Sequence, residues 1–199
     1  MKTWLLFLLI GGLWLMARPG QAQSKFLTRT GRVSFISSSI IEDIEATNSA
    51  TAAVVDLATG QLAFSVPIRE FQFKRTLMQE HFNENYMESD KYPKATFTGH
   101  FSGADEMALG TPGSHPVQVE GDLTMHGVTH HITVTGTLEL KSGQLLAFAL
   151  FRVAPADYNI EIPALVREHI AKIVTVHVAL SCDPQGGSAV PMSRSSAPR

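Results

Sequence analysis

The chain has 199 residues, with 16 basic and 18 acidic side chains and a formal net charge of −2. This balance does not suggest a nucleic-acid partner, because proteins that bind nucleic acids carry an excess of Lys and Arg. Cys182 is the only cysteine, which excludes an internal disulfide, so a hydrophobic core must supply the stability.

The N-terminal segment, residues 1–22, reads as a secretory signal peptide. Lys2 precedes an apolar run from Trp4 to Met16, and small residues surround the expected cleavage point at Ala22. The run is shorter than the roughly 20 residues that span a bilayer, and no comparable run follows. We therefore expect an exported protein, periplasmic or extracellular, without a transmembrane anchor.

The rest of the chain is predicted to form one domain and a tail. Residues 23–182 number about 160, which is the length of a single domain of ordinary size. Residues 183–199 are rich in Pro, Gly, Ser and Arg without periodicity, which predicts a disordered tail.

Short runs with a two-residue period, separated by turns, predict an all-β antiparallel fold. The run over 61–73 changes phase at Glu70, since Phe71 and Phe73 fall at the opposite parity to Leu62. One extra residue at that point predicts a β-bulge. His126 and Gly127 form the expected turn of a hairpin. The predicted strands are 31–37, 40–46, 51–57, 61–73, 94–101, 117–125, 128–140, 145–153 and 170–182.

One helix interrupts the strands. Met78, Phe82 and Tyr86 recur every four residues within 77–89, which predicts an amphipathic helix that ends before Pro93. The chain from 102 to 115 is expected to be a loop, and a short second helical piece is expected over 164–168.

About eight strands, each with one buried face, predict a closed antiparallel β-barrel of the lipocalin-like kind. A barrel of this size encloses either a packed core or one elongated ligand. Periodicity alone leaves both alternatives open.

Three histidines, His126, His130 and His131, raise the alternative of a metal site. Zinc needs three or four converging ligands, but neighbours on a strand, such as His130 and His131, point to opposite faces. His126 and His130 are also far apart in an extended chain unless the turn brings them together. We therefore expect no metal, with His126 at a tight turn and His131 in solvent.

Catalytic residues are not expected. His81 beside Glu80 or Glu84 could form an acid–base pair, but no nucleophile accompanies it, and charged residues on a helix usually form its solvated face. Cys182 falls at an inward position of the last strand, which favours a buried structural thiol.

Charged residues flank the segment between Pro155 and Pro163, and they could form a polar rim at one end of the barrel. The alternative is ordinary surface ion pairing. In the functional version, Arg152 or Arg167 would meet the headgroup of a ligand. The charged residues concerned are Arg152, Asp157, Glu161, Arg167 and Lys172.

With these motifs in place, the sequence resembles the YceI-like family of exported polyisoprenoid-binding proteins. LTMHGVT, from Leu123 to Thr129, is similar to the family's signature around its His-Gly turn, and KYPKATF, from Lys91 to Phe97, to its Tyr-Pro-x-Ala-x-Phe element. GRVSF at 31–35 and DYNIEIPALV at 157–166 extend the resemblance. One departure is the start of the helix, where the family pattern Arg-Asp-x-His-Leu is replaced by RTLMQEHF at 75–82.

The resemblance implies a lipocalin-like barrel that holds an isoprenoid chain, such as that of a quinone or polyprenyl lipid, without enzymatic activity and without a required cofactor. Barrel edges in this family can pair, so a homodimer is one alternative for the oligomeric state. Competing functions are an envelope interaction module with a filled core and, less favoured, a His-dependent metalloenzyme. The expected lining comprises Leu62, Phe64, Val66, Ile68, Met78, Phe82, Phe97, Phe101, Leu123, Met125, Ile132, Val134, Val174, Val176 and Val178.

Overall fold

A computed structural model of the chain describes residues 24–104 and 106–185. The expected signal peptide, and residues 186–199 of the expected tail, lie outside these residues. Asp183 and Pro184, which were expected to begin the tail, belong instead to the last strand. The described chain forms nine strands joined mostly by short turns. They are β1 (Lys25–Ser38), β2 (Asp43–Asp56), β3 (Gln61–Pro67), β4 (Gln72–Phe73), β5 (Lys94–Ser102), β6 (His115–Met125), β7 (Val128–Lys141), β8 (Gln144–Val153) and β9 (Val174–Pro184).

Eight of these strands close into an antiparallel barrel, which confirms the predicted fold. Their order is β1-β9-β8-β7-β6-β5-β3-β2, and the pairing of β1 with β2 closes the ring. The two-residue β4 lies outside the ring and pairs only with β2. Closure leaves these eight strands without an unpaired edge, which protects the sheet from pairing with other chains.

The strand registers define two ends of the barrel. At the first, Ser38 pairs with Asp43, and Val153 pairs with Val174, so the connections 39–42, 68–93 and 154–173 lie there with the His126–Gly127 turn. We call it the mouth end. The connections 57–60, 103–114 and 142–143 lie at the opposite end, together with both ends of the described chain. We call that one the closed end.

The single strand predicted over 61–73 is wrong, and so is its bulge at Glu70. β3 ends at Pro67, the chain makes a 3-10 turn over Ile68–Glu70, and β4 then pairs with β2. Pro67 has no N–H to donate to a ladder, and the N–H of Ile68 instead bonds to the carbonyl oxygen of Pro93 at 2.9 Å. A turn and a bulge both reverse side-chain parity, so the sequence pattern could not separate them.

The two strands predicted over 40–46 and 51–57 are one strand, β2. The break that the sequence suggests is the position where β2 changes partner, from β4 to β3. Asn48 is fully buried there. Its side-chain amide donates to the Pro67 carbonyl at 2.7 Å, and its oxygen accepts from the Ala50 N–H at 2.8 Å and the Thr51 hydroxyl at 3.2 Å. These bonds satisfy a polar group that would otherwise be costly to bury.

Two smaller expectations are corrected, and a third is confirmed. The loop expected over 102–115 contains a short helix, α2 (Glu106–Leu109), whose Leu109 is buried. The last strand begins at Val174 and not at 170. The short helical piece expected over 164–168 is present as a 3-10 turn over Ala164–Val166.

The hairpin turn at His126 and Gly127 is present as predicted. β6 and β7 pair up to Met125 and Val128, and the two turn residues have φ angles of 51° and 76°. Positive φ at both positions is the geometry of a type I′ turn, whose twist matches that of the flanking strands. Glycine is favoured at the second position, because it adopts a positive φ without steric cost.

The helix lies across the mouth end between β4 and β5. α1 (Thr76–His81) continues into a π-helical turn over Phe82–Tyr86, where the N–H of Met87 bonds to the carbonyl of Phe82 at 2.8 Å. The helix is shorter than the predicted 77–89. Its wider last turn brings Met87, which is buried, onto the same side as Phe82 and Tyr86.

Candidate ligand-binding cavity

The two alternatives for the interior, a packed core and a cavity, each hold for one half of the barrel. The closed half is filled by large side chains, including Phe26, Leu62, Phe101, Leu138 and Leu145, which pack into one buried cluster. The mouth half contains a cavity of about 380 Å³. This volume lies within the range of roughly 300–1,000 Å³ that is typical of small-molecule sites.

The cavity is lined almost entirely by apolar side chains from strands, helix and the 154–173 connection. Ten of the residues predicted from the sequence lie around it, and Val174, Val176 and Val178 form its β9 wall. The ten are Phe64, Val66, Ile68, Met78, Phe82, Leu123, Met125, Val174, Val176 and Val178.

The other five predicted residues surround a second space of about 70 Å³ toward the closed end. They are Leu62, Phe97, Phe101, Ile132 and Val134. The two spaces share four wall residues, which are Phe64, Leu123, Phe151 and Val178. Phe64 stacks on Phe97 with ring centroids 5.0 Å apart and an interplanar angle of 15°. This layer ends the larger cavity and begins the filled half.

Four phenylalanines fix the helix to the cavity wall. Phe82 lies 5.6 Å from Phe35, 5.5 Å from Phe71 and 5.0 Å from Phe73, measured between ring centroids. Aromatic pairs at these separations are attractive beyond the area that they bury. Phe35, Phe71 and Phe73 were not among the predicted lining residues. Phe71 and Phe73 have the opposite sequence parity to the lining residues of β3. The 3-10 turn over Ile68–Glu70 is what directs their side chains toward the cavity.

The predicted apolar face of the helix lies toward the cavity. Met78, Phe82 and Tyr86 all contribute to its lining, while Glu80 and Glu84 are exposed. Burial raises the pKa of the Tyr86 hydroxyl, as expected beside an apolar space. The helix therefore forms one wall of the cavity at the mouth end.

Few polar side chains line the cavity, and they lie at its mouth. They are Ser37, Glu42, His81 and His169. Glu42 forms an ion pair with Arg75 at the start of α1, and its other carboxylate oxygen lies 3.4 Å from Nδ1 of His169. The Ser37 hydroxyl accepts a bond from the Ala171 N–H at 2.8 Å. These contacts hold the 39–42 turn, the helix and the 164–171 segment together.

No pattern in the sequence predicted this cluster of Glu42, Arg75 and His169. The partners of Glu42 are separated from it by 33 and 127 residues, so no local spacing pattern could show the cluster. The two predicted headgroup residues lie elsewhere. Arg152 and Arg167 are exposed, and neither contributes to the lining of the cavity.

The three central histidines do not converge. Nδ1 of His126 lies 3.0 Å from the Tyr158 carbonyl oxygen, and its Nε2 lies 3.1 Å from Glu88, so His126 ties the hairpin turn to two other connections. Nε2 of His130 lies 2.7 Å from the Asp157 carbonyl oxygen. Within residues 24–104 and 106–185, no three His, Cys, Asp or Glu side chains are arranged to hold a metal ion.

His131 lies on the outer face, between two carboxylates. Its Nδ1 is 2.8 Å from Asp122 and its Nε2 is 3.1 Å from Glu120. The hydrogen bonds to these two carboxylates raise the pKa of the imidazole, and the bond to Asp122 has the larger effect. Because the carboxylates bond to opposite sides of the ring, they cannot share one ion with it.

Two further observations concern sequence predictions. Cys182 is fully buried in the closed half, and burial raises the pKa of its thiol to about 11, so it is a structural residue there. None of the helices in the described part of the chain has the length and hydropathy of a membrane span.

Comparison with known proteins identifies the family. A family model described as YceI-like domain matches residues 22–182, which is most of the chain. The chain belongs to the YceI-like family. No protein of curated function matches the sequence significantly.

Solved structures show that other YceI-like and related barrels share the fold. A polyisoprenoid binding domain from Saccharophagus degradans, implicated in plant cell wall breakdown, has a TM-score of 0.69 at 18% identity, covering 81% of this chain and 98% of its own. BcnA from Burkholderia cenocepacia has a TM-score of 0.65 at 18% identity, covering 76% and 95%. The Campylobacter jejuni YCEI protein has a TM-score of 0.51 at 13% identity, covering 91% and 97%. At these identities the likeness concerns the fold.

Proposed function

We propose that this YceI-like protein is exported and holds the isoprenoid chain of a quinone or polyprenyl lipid in the mouth-end cavity. It would serve in carriage, storage or an envelope stress response, as a binding protein and not as an enzyme. The apolar segment at residues 1–22 supports export. The observation that carries the proposal is an apolar cavity of about 380 Å³ in one half of a barrel whose other half is filled.

The chemistry of the lining favours a hydrocarbon ligand. Each buried methylene gains about 0.8 kcal/mol, so a branched, extended chain gains affinity with length and needs no polar recognition. Water is a poor occupant, because a buried water needs two to four polar partners, and the wall formed by Val66, Ala95 and Val176 offers none. The structural neighbour described as a polyisoprenoid binding domain is consistent with such a ligand.

The polar residues at the mouth suggest where a headgroup would lie. Glu42, His81 and His169 line the same end of the cavity, so the tail would enter first and the polar end would remain near them. This arrangement favours Glu42, His81 and His169 over Arg152 and Arg167, which do not line the cavity, as the headgroup candidates.

The test is to purify the exported protein from its host, extract it with organic solvent and identify the extract by mass spectrometry. We expect a prenyl lipid in near-stoichiometric amount. A Val176→Trp variant, which places a large ring in the cavity, should lose the lipid. Thr133→Trp is the matched control, because Thr133 lies exposed on the outer face of β7.

The result that contradicts the proposal is the repeated absence of any prenyl lipid from the wild-type protein and from Thr133→Trp, together with no uptake of added prenyl alcohols. That result would favour the envelope interaction module with an unoccupied barrel.

A further inference from the structure

Exposed hydrophobic side chains concentrate at the mouth end. Eight large hydrophobic side chains are exposed in the described part of the chain, and five of them lie on the connections of that end. The other three, Val54, Phe148 and Leu150, lie on barrel strands. We call the five the apolar rim, and they are Ile40, Ile41, Leu77, Leu165 and Ile173.

The apolar rim lies next to residues that line the cavity at the mouth end. Four of its residues directly precede a lining residue in the chain: Glu42, Met78, Val166 and Val174 follow Ile41, Leu77, Leu165 and Ile173. At each of these positions one side chain points into the cavity and its neighbour points to solvent. Glu42, through Arg75 and His169, joins three of the connections concerned.

The rim is held in place and is not a set of loose loops. The hydroxyl of Ser39 accepts bonds from the N–H groups of Ile41 at 3.2 Å and Glu42 at 3.1 Å, and it donates to the Glu42 carbonyl at 3.0 Å. Ile40 stands at the tip of this turn with 95% of its surface exposed. Leu165, at the middle of a 3-10 turn, is 93% exposed.

Single aliphatic side chains on several separate tips match a lipid bilayer better than a protein surface. A protein interface usually buries one contiguous, well-packed patch, whereas a bilayer accepts scattered side chains into its acyl region. Arg167 and Lys172 form no ion pair with another described residue, and each lies within two positions of a rim residue. Cationic side chains beside aliphatic residues that enter a bilayer can lie at the level of the lipid phosphate groups and complement their charge.

We infer that the apolar rim docks on a phospholipid bilayer, with the mouth of the cavity facing the membrane. This inference rests on the proposed function in one respect, because a prenyl lipid is dissolved in the bilayer and must leave it to enter the cavity. Docking the mouth on the membrane lets the chain pass between two apolar surroundings without crossing water.

Asp43, the first residue of β2, and Glu168 lie close in the chain to rim residues and balance Arg167 and Lys172, so the rim carries no excess of positive charge. Binding should therefore come from insertion of the aliphatic tips and depend only weakly on salt and on lipid charge.

The experiment compares three forms of the full chain in flotation assays with vesicles of phosphatidylcholine, with and without phosphatidylglycerol. They are the wild type, a rim variant with Ile40→Ser and Leu165→Ser, and a control with Val54→Ser and Leu150→Ser. Ile40 and Leu165 pack against little and do not line the cavity, so the rim variant should fold normally. The mass of each sample is checked, because a retained N-terminal apolar segment would itself bind vesicles.

A second measurement separates docking from ligand binding. Binding of farnesol, a short prenyl alcohol, is measured for the same three proteins without vesicles. We expect all three to bind farnesol equally, and the rim variant to partition onto vesicles at least about tenfold more weakly than wild type and control.

The inference is overturned if the wild type binds farnesol but not vesicles, or if rim variant and control partition equally. If the wild type binds vesicles through the rim but takes up no prenyl compound, docking is supported and the proposed isoprenoid ligand fails.

Discussion

Phe64 is predicted to set the length of the ligand that the cavity accepts. Its ring belongs to the layer between the 380 Å³ cavity and the 70 Å³ space, and it stacks on Phe97. Phe64→Ala removes that ring and opens the larger cavity toward the smaller one. The space gained is the smaller space together with the volume that the ring vacates, which is room for about one more five-carbon isoprene unit.

The magnitude follows from two opposing terms. Truncation of a buried Phe to Ala costs about 3–5 kcal/mol of folding stability. Phe64 is only partly buried and borders an existing cavity, so its truncation should cost about 2–3 kcal/mol. Five more buried carbons gain the ligand at most about 4 kcal/mol, at about 0.8 kcal/mol each. The variant should thus be less stable when empty and bind a longer chain more tightly.

The assay is competition binding with a series of prenyl alcohols that differ by one isoprene unit, combined with denaturant unfolding of the empty protein. The preferred length should increase by about one unit in Phe64→Ala. Phe101→Ala is the matched control, because Phe101 is buried in the closed half and borders only the smaller space. It should lower stability without changing the preferred length. An unchanged length preference in Phe64→Ala, with the expected loss of stability, would refute the role of this layer.

Three further predictions concern single residues. Cys182 should react with iodoacetamide at pH 8 only as fast as the protein unfolds, and fast alkylation of the folded protein would contradict its burial. Because burial raises the pKa of its thiol from 9.0 to about 11, the free energy of unfolding should decrease as the pH rises through that interval. The pKa of His131, followed by NMR, should lie above the ordinary value and decrease in Asp122→Asn, and an unshifted titration would refute the pairing. The contribution of this pairing to stability should be present below about pH 6.5 and vanish as the pH rises through the raised pKa. Gly127→Ala should cost about 1–3 kcal/mol, since φ is +76° and the new Cβ would lie 2.7 Å from a tyrosine ring carbon. Gly143→Ala, with φ of +82° and no atom within 4 Å, should cost less in the same denaturant titration; equal costs would exclude the contact as the cause.

The sequence was sufficient wherever a local rule decides the structure. The alternation along β6 and β7 depends only on the two-residue period of a strand, and the His126–Gly127 turn on the tolerance of its residues for positive φ. The apolar face of Met78, Phe82 and Tyr86 follows in the same way from helical spacing. These elements were predicted correctly because their causes lie within a few residues.

The sequence was insufficient wherever distant segments meet. Parity assigned the inward residues correctly at Val66 and Val176, but it could not tell at which level of the barrel each one lies. That level depends on strand register, and it decides which inward residues line the cavity, as Val33 and Ala95 do, and which pack in the closed half, as Phe26 and Leu145 do. The Glu42 cluster was missed for the same reason, since its three members come from three connections.

The division of the interior into a filled half and a half with a cavity also explains how one barrel can be stable and still contain a cavity. A cavity lacks the dispersion contacts that a packed interior makes, so the mouth half contributes less to stability than its apolar lining would suggest. The filled half, with Leu145 and Cys182 fully buried, compensates, and the pairing of β1 with β2 runs from Lys25 at the closed end to Ser38 at the mouth end, so the ring is closed along both halves. The phenylalanines around Phe82 then hold the helix at the mouth. Stability therefore resides mainly at the closed end.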